Sequence, residues 1–360
     1  MCFPDRFFRF DIFVSMNSHF NKIPVAGTDL ATLVHELEMR GIEPRYGRRM
    51  LYWIYRRRIS SFDIINDIPR DVLLKLAENF TTGLSVPVSS SASSDGSVKY
   101  LFQTGSGMLH EAVYLPEGKR HTACISVQAG CRMGCRFCAT GQNGWNGNLT
   151  AGEIVNQVIS LPHNVTHVVM MGMGEPGDNI EEVMRACAVL TAEWGLAVGR
   201  SRVTVSTVGV LPSVIRLLNE TDCNLTLSLH SPFPEERRAV IPAEARWPFE
   251  KTLGLIKNFS ARRNRRFTVA YVMIKGINDS DAHLEALKTL LSGTAIRVNL
   301  LPYHSFTGDS NVSSDSETMS RFKHLLVTSG IGASVRKSRG ADIAAACGML
   351  ASNAITENHK

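Results

Sequence analysis

Residues 131–138 read Cys131-Arg-Met-Gly-Cys135-Arg-Phe-Cys138, three cysteines at CxxxCxxC spacing. Three thiols this close cannot all pair as disulfides, because one is always left over. They can ligate metal. Structural zinc takes four ligands, and no fourth Cys or His follows at the usual short spacing. An iron–sulfur cluster with one iron left open matches three cysteines better. Gly130, Gly134 and Gly141 surround the motif, so the cysteines belong to a loop and not to a packed element.

A strand–helix alternation begins at residue 122. Strands are expected over 122–128, 166–171, 202–206, 223–230, 267–274 and 297–301, with helices between them, such as 180–193 and 282–291. Six such units imply a parallel sheet. Within the strands the polar and apolar residues alternate. Ala123, Ile125 and Val127 face one way, and Cys124, Ser126 and Gln128 the other. Val203 and Val205 oppose Thr204 and Ser206. Leu225, Leu227 and Leu229 oppose Thr226, Ser228 and His230. Under covering helices the apolar set points outward, so the polar set lines the lumen of a barrel. A packed barrel fills its interior with branched apolar residues instead. Burying this many polar groups costs several kcal/mol unless something hydrogen-bonds them, and a polar ligand in an open barrel would do so.

Ahead of the alternation, Asp29 is placed to cap a helix carrying Leu30, Leu33, Val34 and Leu37, which Gly41 ends. Residues 46–57 form a second helix, and 71–78, after Pro69, a third. A Ser-rich connector over 88–96 leads into strands 97–103 and 109–115, joined by the Gly105-Ser-Gly107 turn. Arg40, Arg45, Arg48, Arg49, Arg56, Arg57 and Arg58 crowd residues 40–58, around Leu51, Tyr52, Trp53, Ile54 and Tyr55. Such a run is commonly a solvated helix face. Basic residues interleaved with aromatics also suit a phosphate-contacting surface.

With 360 residues, the chain can bury one large core and a smaller satellite domain. Its hydrophobic content of 44% and charged content of 20% are those of a soluble globular protein. No apolar run reaches membrane-spanning length. Residues 7–14 are apolar but carry Arg9 and Asp11 and precede no small-residue cleavage site, so they make a poor signal peptide; Met16 is an alternative start. The net charge is +6, from 39 basic and 33 acidic residues, a mild excess whose placement says more than its size. Eight cysteines, three of them read as metal ligands, fit a reducing cytoplasm.

CxxxCxxC with an aromatic before the third cysteine resembles the signature of the radical SAM enzymes. Met171-Gly-Met-Gly-Glu-Pro176, Ser228-Leu229-His230 and Arg339-Gly-Ala-Asp-Ile-Ala-Ala-Ala-Cys347-Gly narrow the resemblance to the RlmN and Cfr methyltransferases, over about residues 28–350. The Pro after Gly-Glu resembles the RlmN branch, which acts at adenine C2 in 23S ribosomal RNA and transfer RNA. The fold implied is α/β, a partial (β/α)6 radical SAM barrel and not a doubly wound sheet, with a small N-terminal helical domain and a β-hairpin connector. Divided accordingly, the chain has an extension (1–27), a helical RNA-binding accessory domain (28–86), the connector (87–120), the core (121–350) and a tail (351–360).

What the resemblance implies for the site can be stated residue by residue. Cys131, Cys135 and Cys138 would hold a 4Fe–4S cluster whose open iron is chelated by S-adenosylmethionine. Gly172 and Gly174 would let the backbone approach that cofactor, and Glu175 would accept from its ammonium. Ser206, Ser228, Leu229, His230 and Asn299 match cofactor-contacting positions. Cys347 matches the cysteine that is methylated and carries the carbon to RNA. Cys124 matches the resolving cysteine that releases the product as a disulfide forms, and Glu111 a proton acceptor. Adenine C2 is electron-poor and cannot attack a sulfonium methyl, which calls for radical chemistry. The target base must be unstacked, so single-stranded or loop RNA is the form expected. An unidentified electron donor, a monomer, a cytoplasmic location and no membrane partner complete the expectation. Cys187, on a stripe with Val183 and Leu190, reads as core, and Cys223 and Cys2 receive no role. Many relatives carry a basic residue near Gly147; here the run is Gly141-Gln-Asn-Gly-Trp145-Asn-Gly-Asn-Leu149. The alternatives are a Cfr-like C8 methyltransferase, served by the same residues, and a metal-bearing RNA-binding module without catalysis. A mere binder would need neither Cys124 nor Cys347.

Overall fold

The computed structural model describes residues 22–260, 265–306 and 308–351. Residues 7–14, Met16, Cys2 and the tail beyond Ala351 lie outside the described residues. Three helices open the described chain: α1 (Leu30–Glu38), α2 (Tyr46–Tyr55) and α3 (Arg70–Asn79). Asp29 caps α1 by accepting from the Thr32 N–H at 2.9 Å, a contact worth about 1 kcal/mol. Leu33 and Leu37 of α1 and Met50, Leu51, Ile54 and Tyr55 of α2 are buried. They belong to one continuous core with the barrel strands and their helices. Two arginines after α2 fasten the unit in place. Arg56 donates to the carbonyls of Glu193 and Leu196, and Arg58 to that of Leu161.

A sheet of ten strands carries the rest. In chain order these are β1 (Ser89–Ala92), β2 (Val98–Gln103), β3 (Leu109–Glu117), β4 (Arg120–Cys124), β5 (His167–Met170), β6 (Val203–Thr207), β7 (Asn224–Ser228), β8 (Phe267–Met273), β9 (Arg297–Pro302) and β10 (Ala333–Val335). Their order across the sheet is the order in the chain. β1 to β4 pair antiparallel, whereas β4 to β10 pair parallel throughout. Helices cross between the parallel strands: α4 (Ala151–Ile159), α5 (Ile180–Thr191), α6 (Leu211–Glu220), α7 (Phe249–Ser260), α8 (Asp281–Leu291) and α9 (Ser316–Thr328). Thr150 and Glu153 form a capping box at the start of α4. The parallel sheet is the one expected from the alternation and the partial barrel the one implied by the resemblance, with the hairpin strands hydrogen-bonded into the same sheet.

Two differences from the sequence reading bear on the site. The strand expected over 122–128 ends at Cys124. Beyond it Ser126 is held by Gln157 and donates to the Glu111 carbonyl, and Gln128–Gly130 pairs instead with Trp145–Asn148. β10, only three residues long, left no readable alternation; it pairs with β9 through Val298–Ala333 and its neighbours.

Candidate active site

The apolar faces sort as expected, but of the polar faces read in the sequence only Cys124, Thr204 and Thr226 reach the cavity; Ser126, Gln128, Ser206, Ser228 and His230, expected beside them, lie outside its lining. Val168, Val203, Val205, Leu225, Leu227, Val269, Val298 and Leu300 belong to the outer core under the helices. Cys124, Thr204, Thr226, Thr268 and Asn299 line a cavity of about 600 Å³ inside the barrel. Cys138 and Thr140 of the cysteine loop, Met171 and Gly172 after β5, and residues 336–339, 345–348 and 350 after β10 close around it.

The cysteine loop sits beyond the C-terminal end of β4. Gly130 enters it at φ +84, where a Cβ would stand 2.2 Å from the Gly144 carbonyl oxygen. Cys135 is buried, and Cys131 and Cys138 are half-buried. Burial pushes all three thiols up, Cys131 to about 12, and each is raised further by a neighbouring cysteine of the motif or beside it. Among the described residues, no group of three or more His, Cys, Asp or Glu converges tightly enough to hold a single ion. A cluster puts each thiolate on its own iron, so it needs no such convergence. The donor set, three thiols and no fourth ligand, fits a 4Fe–4S cluster; a bound cation would reverse the upward shifts and hold the sulfurs as thiolates. Beside the loop, the Arg132 guanidinium lies 3.5 Å from the Trp145 ring centroid, so a positive charge stands near the stretch where the sequence lacked one.

The loop after β5 is built on close approach. A Cβ at Gly172 would meet the Ile125 carbonyl at 2.8 Å, and at Gly174, φ +98, it would meet Gln128 at 2.6 Å. Glu175 is buried, and its carboxylate accepts from the Gly177 and Val208 N–H groups, both at 2.9 Å, and from Thr207 Oγ1. Burial pushes this carboxyl up to about 7 against those donors. Glu175 therefore ties the β5 loop to the β6 loop, and three protein donors already occupy the carboxylate that the sequence reading aimed at a cofactor ammonium.

Ser206 and Ser228 are half-buried at the ends of β6 and β7, while Leu229 is fully buried in the outer core. His230 follows at φ +58, and its Nδ1 accepts from the Val272 N–H at 2.9 Å. Its ring meets Phe137 of the cysteine motif edge-on at 4.5 Å. Burial, reinforced by Arg237, lowers this imidazole to about 3, so it is neutral with the proton on Nε2. Asn299 faces the cavity and accepts from Ser334 Oγ at 2.7 Å. Sequence reading missed Arg237, which is fully buried. It donates to the Leu229, Ser228 and Val208 carbonyls and pairs with Glu244, locking the β6 and β7 ends together.

After β10 the chain runs back across the barrel as a strap. Gly340 donates to Asp95, Asp342 accepts from Ser93, and Arg339 donates to the Pro116 carbonyl. Further on, the Gly348 and Leu350 carbonyls accept from the Ala139 N–H and Thr140 Oγ1 of the cysteine loop. The strap thereby carries the exposed Cys347 to the cavity wall that also holds Cys124 and Cys138. Burial pushes the Cys124 thiol to about 12, and Cys347 adds to the rise. Glu111, by contrast, lies under the strap and outside the cavity lining. Its carboxylate pairs with Lys99 at 3.1 Å and accepts from the Ala351 N–H at 2.9 Å. Lys99 was invisible as a partner in the sequence, because strand pairing alone makes the two diagonal neighbours.

The cavity is basic. Arg120, Arg266, Arg297, Arg336, Lys337 and Arg339 line it against one carboxylate, Glu117. His167 among them is held below its ordinary range by burial and then by Arg120, Arg202 and Arg266. A second depression of about 440 Å³, lined by Arg200, Arg265 and Arg266, shares Ser201, Asn224 and Arg266 with the first. The run at 40–58 is more committed than its composition suggested. Arg56 and Arg58 are occupied by barrel carbonyls, and Arg57 stacks over Trp53. The expectation that this run contacts phosphate is thus confined to its remaining cations.

Comparison with known proteins gives concordant matches. The family model described as the radical SAM superfamily matches residues 125–287. The curated "Probable dual-specificity RNA methyltransferase RlmN" of Bacteroides thetaiotaomicron is 40% identical over 342 residues, 94% of this chain and 99% of that protein. The "Dual-specificity RNA methyltransferase RlmN" of Halorhodospira halophila is 37% identical over 334 residues, 91% and 93% of the respective chains. A radical SAM methyltransferase from Sphaerobacter thermophilus, known from a crystal structure, superposes with a TM-score of 0.87 at 37% identity, covering 92% of this chain and 99% of that one.

Proposed function

The chain belongs to the RlmN family of radical SAM RNA methyltransferases, and from that membership we propose how its residues divide the work of methylating adenine C2 in 23S ribosomal RNA, transfer RNA or both. The enzyme uses a 4Fe–4S cluster and S-adenosylmethionine. Cys131, Cys135 and Cys138 hold the cluster, which when bound supplies the electron for reductive cleavage of S-adenosylmethionine. Gly172 and Gly174 let the β5 loop close against Ile125 and Gln128, and Ser206, Ser228, Leu229, His230 and Asn299 shape the cofactor's place. Glu175 serves that place chiefly by fixing the two loops that border it.

Cys347 accepts a methyl group on sulfur and carries the carbon to the base. Cys124, as thiolate, then attacks the Cys347 sulfur; the Cys124–Cys347 disulfide forms as the carbon–sulfur bond breaks, and the electron pair of that bond leaves with the carbon on the base, which takes a proton to become the methyl group. Glu111 is assigned the proton that C2 must lose, from a position under the strap where it pairs with Lys99. Burial raises both Cys124 and Glu111. The basic cavity lining draws in the RNA backbone, and the helical unit at 28–86 supplies a second contact surface through Arg48. Free thiols at all seven described cysteines support a reducing, cytoplasmic setting. No helix among the described residues is long and apolar enough to cross a membrane. The protein acts as a monomer and draws electrons from a separate one-electron donor.

The observation that carries this reading is the presence of Cys347 and Cys124 on one cavity wall with Cys138 of the cysteine loop. An RNA-binding module needs no such pair. The test compares Cys124→Ala with Cys347→Ala, each purified from cells and run on denaturing gels with and without ribonuclease. Cys124→Ala should stall with RNA crosslinked through Cys347 and give a nuclease-sensitive slow band. Cys347→Ala should run clean, and neither should form 2-methyladenosine in RNA analysed by mass spectrometry. Two clean variants that still methylate would overturn the assignment.

A further inference from the structure

The Lys99–Glu111 pair does more than neutralise a buried charge. Lys99 Nζ and Glu111 Oε1 lie 3.1 Å apart, with the side chains 14% and 1% exposed. Taking two charges out of water is repaid only where geometry and additional hydrogen bonds are good. Here the additional bonds go to the strap, one from each charge. Lys99 Nζ donates to the Ala344 carbonyl at 3.4 Å, and the Ala351 N–H donates to Glu111 Oε2 at 2.9 Å. Residues 344 and 351 are the two feet of the arch that carries Cys347. Ala344 adopts φ +50, a left-handed conformation unfavourable for an L side chain, so the near foot is held where a free chain would not rest. Under the arch, Ala345 and Leu350 pack on Cys124, Val113 and Val169.

We propose that Lys99 is a positioning residue: with Glu111 it latches both feet of the 344–351 arch, keeping Cys347 over the cavity and Cys124 covered until the strap is released. The latch deepens the two-cysteine reading above and rests on it for its functional meaning. The latch holds through charge: a buried carboxylate loses its hold on the arch when its cation is removed, and a lysine loses its site when the carboxylate goes.

Cys124 itself reports the state of the arch, because it is buried in one cluster with Ala345 and Leu350. The experiment is iodoacetamide labelling of the anaerobic, cluster-loaded enzyme, read cysteine by cysteine with peptide mass spectrometry. Cys187 and Cys223, buried in the outer core, act as internal monitors of general unfolding. In Lys99→Met, Cys124 should label about tenfold faster or more, since removing one member of a buried pair costs more than a tenfold shift requires. Cys187 and Cys223 should keep their wild-type rates. Lys99→Arg, which retains the charge, should return Cys124 to within about twofold of wild type. Glu111→Gln should release the arch from the opposite side. The double variant should add little to either single change, because both remove one interaction. An unchanged Cys124 rate in Lys99→Met, an equal rise at Cys187 and Cys223, or no recovery in Lys99→Arg would overturn the proposal. Cys347 methylation is read on the same peptides. Its absence in every variant would count against the methyl-carrier reading while leaving the latch result intact.

Discussion

Replacing Arg237 with Met tests whether the strand ends beneath the candidate cofactor site are held by a single side chain. Arg237 is fully buried and makes four contacts: to the Leu229 carbonyl at 2.9 Å, to the Ser228 and Val208 carbonyls at 2.7 Å each, and to the Glu244 carboxylate. Met keeps much of the aliphatic stem and removes every donor. Breaking a buried ion pair by deleting one partner costs about 3–5 kcal/mol. Each carbonyl left buried without a donor adds about 1 kcal/mol or more, partly recovered by relaxation. A loss of about 5 kcal/mol is therefore expected, against a total stability on the order of 5–15 kcal/mol. Adding Glu244→Leu removes the orphaned charge and should recover about half. The three carbonyls stay unpaired, so full recovery is not expected. The assay is anaerobic urea unfolding of the cluster-loaded proteins, with S-adenosylmethionine affinity measured on whatever remains folded. A single variant within about 1 kcal/mol of wild type would refute the reasoning, as would a double variant restored completely.

Two further outcomes follow from the site and the core. Cys131→Ala, Cys135→Ala or Cys138→Ala should each abolish bound iron, while Cys187→Ala and Cys223→Ala should retain it, as measured by metal analysis after anaerobic reconstitution. His110 is buried against Phe102 with neither ring nitrogen paired, and burial lowers it from 6.5 to about 4. Its folded pKa is depressed, so the unfolded chain binds more protons between about pH 4 and 6.5, and stability falls as pH drops through that window. Urea unfolding should show wild type losing about 1 kcal/mol more than His110→Phe between pH 7.5 and 5.5; equal losses would mean the ring is charged or solvated in the fold.

Much of the architecture is written locally. The CxxxCxxC spacing, Asp29 as a cap and the polar–apolar alternation of the strands are periodic or short-range signals. Each is enforced by backbone geometry within a few residues, so the parallel sheet could be read before any contact was known, while the choice of a partial barrel came from the family resemblance. The same alternation put Cys124, Thr204 and Thr226 toward the cavity, where they lie, but also Ser206, Ser228 and His230, which stay outside its lining. Relations between distant segments left no such trace. Lys99 meets Glu111 through strand register, and both reach a strap some 240 residues further along the chain. Glu175 is spent on the β6 loop, Arg56 and Arg58 on barrel carbonyls, and Arg237 on two strand ends. A buried charge finds its partner by whichever groups the packed fold brings within about 3 Å. That distance is fixed by tertiary packing, and no local periodicity of the sequence encodes it.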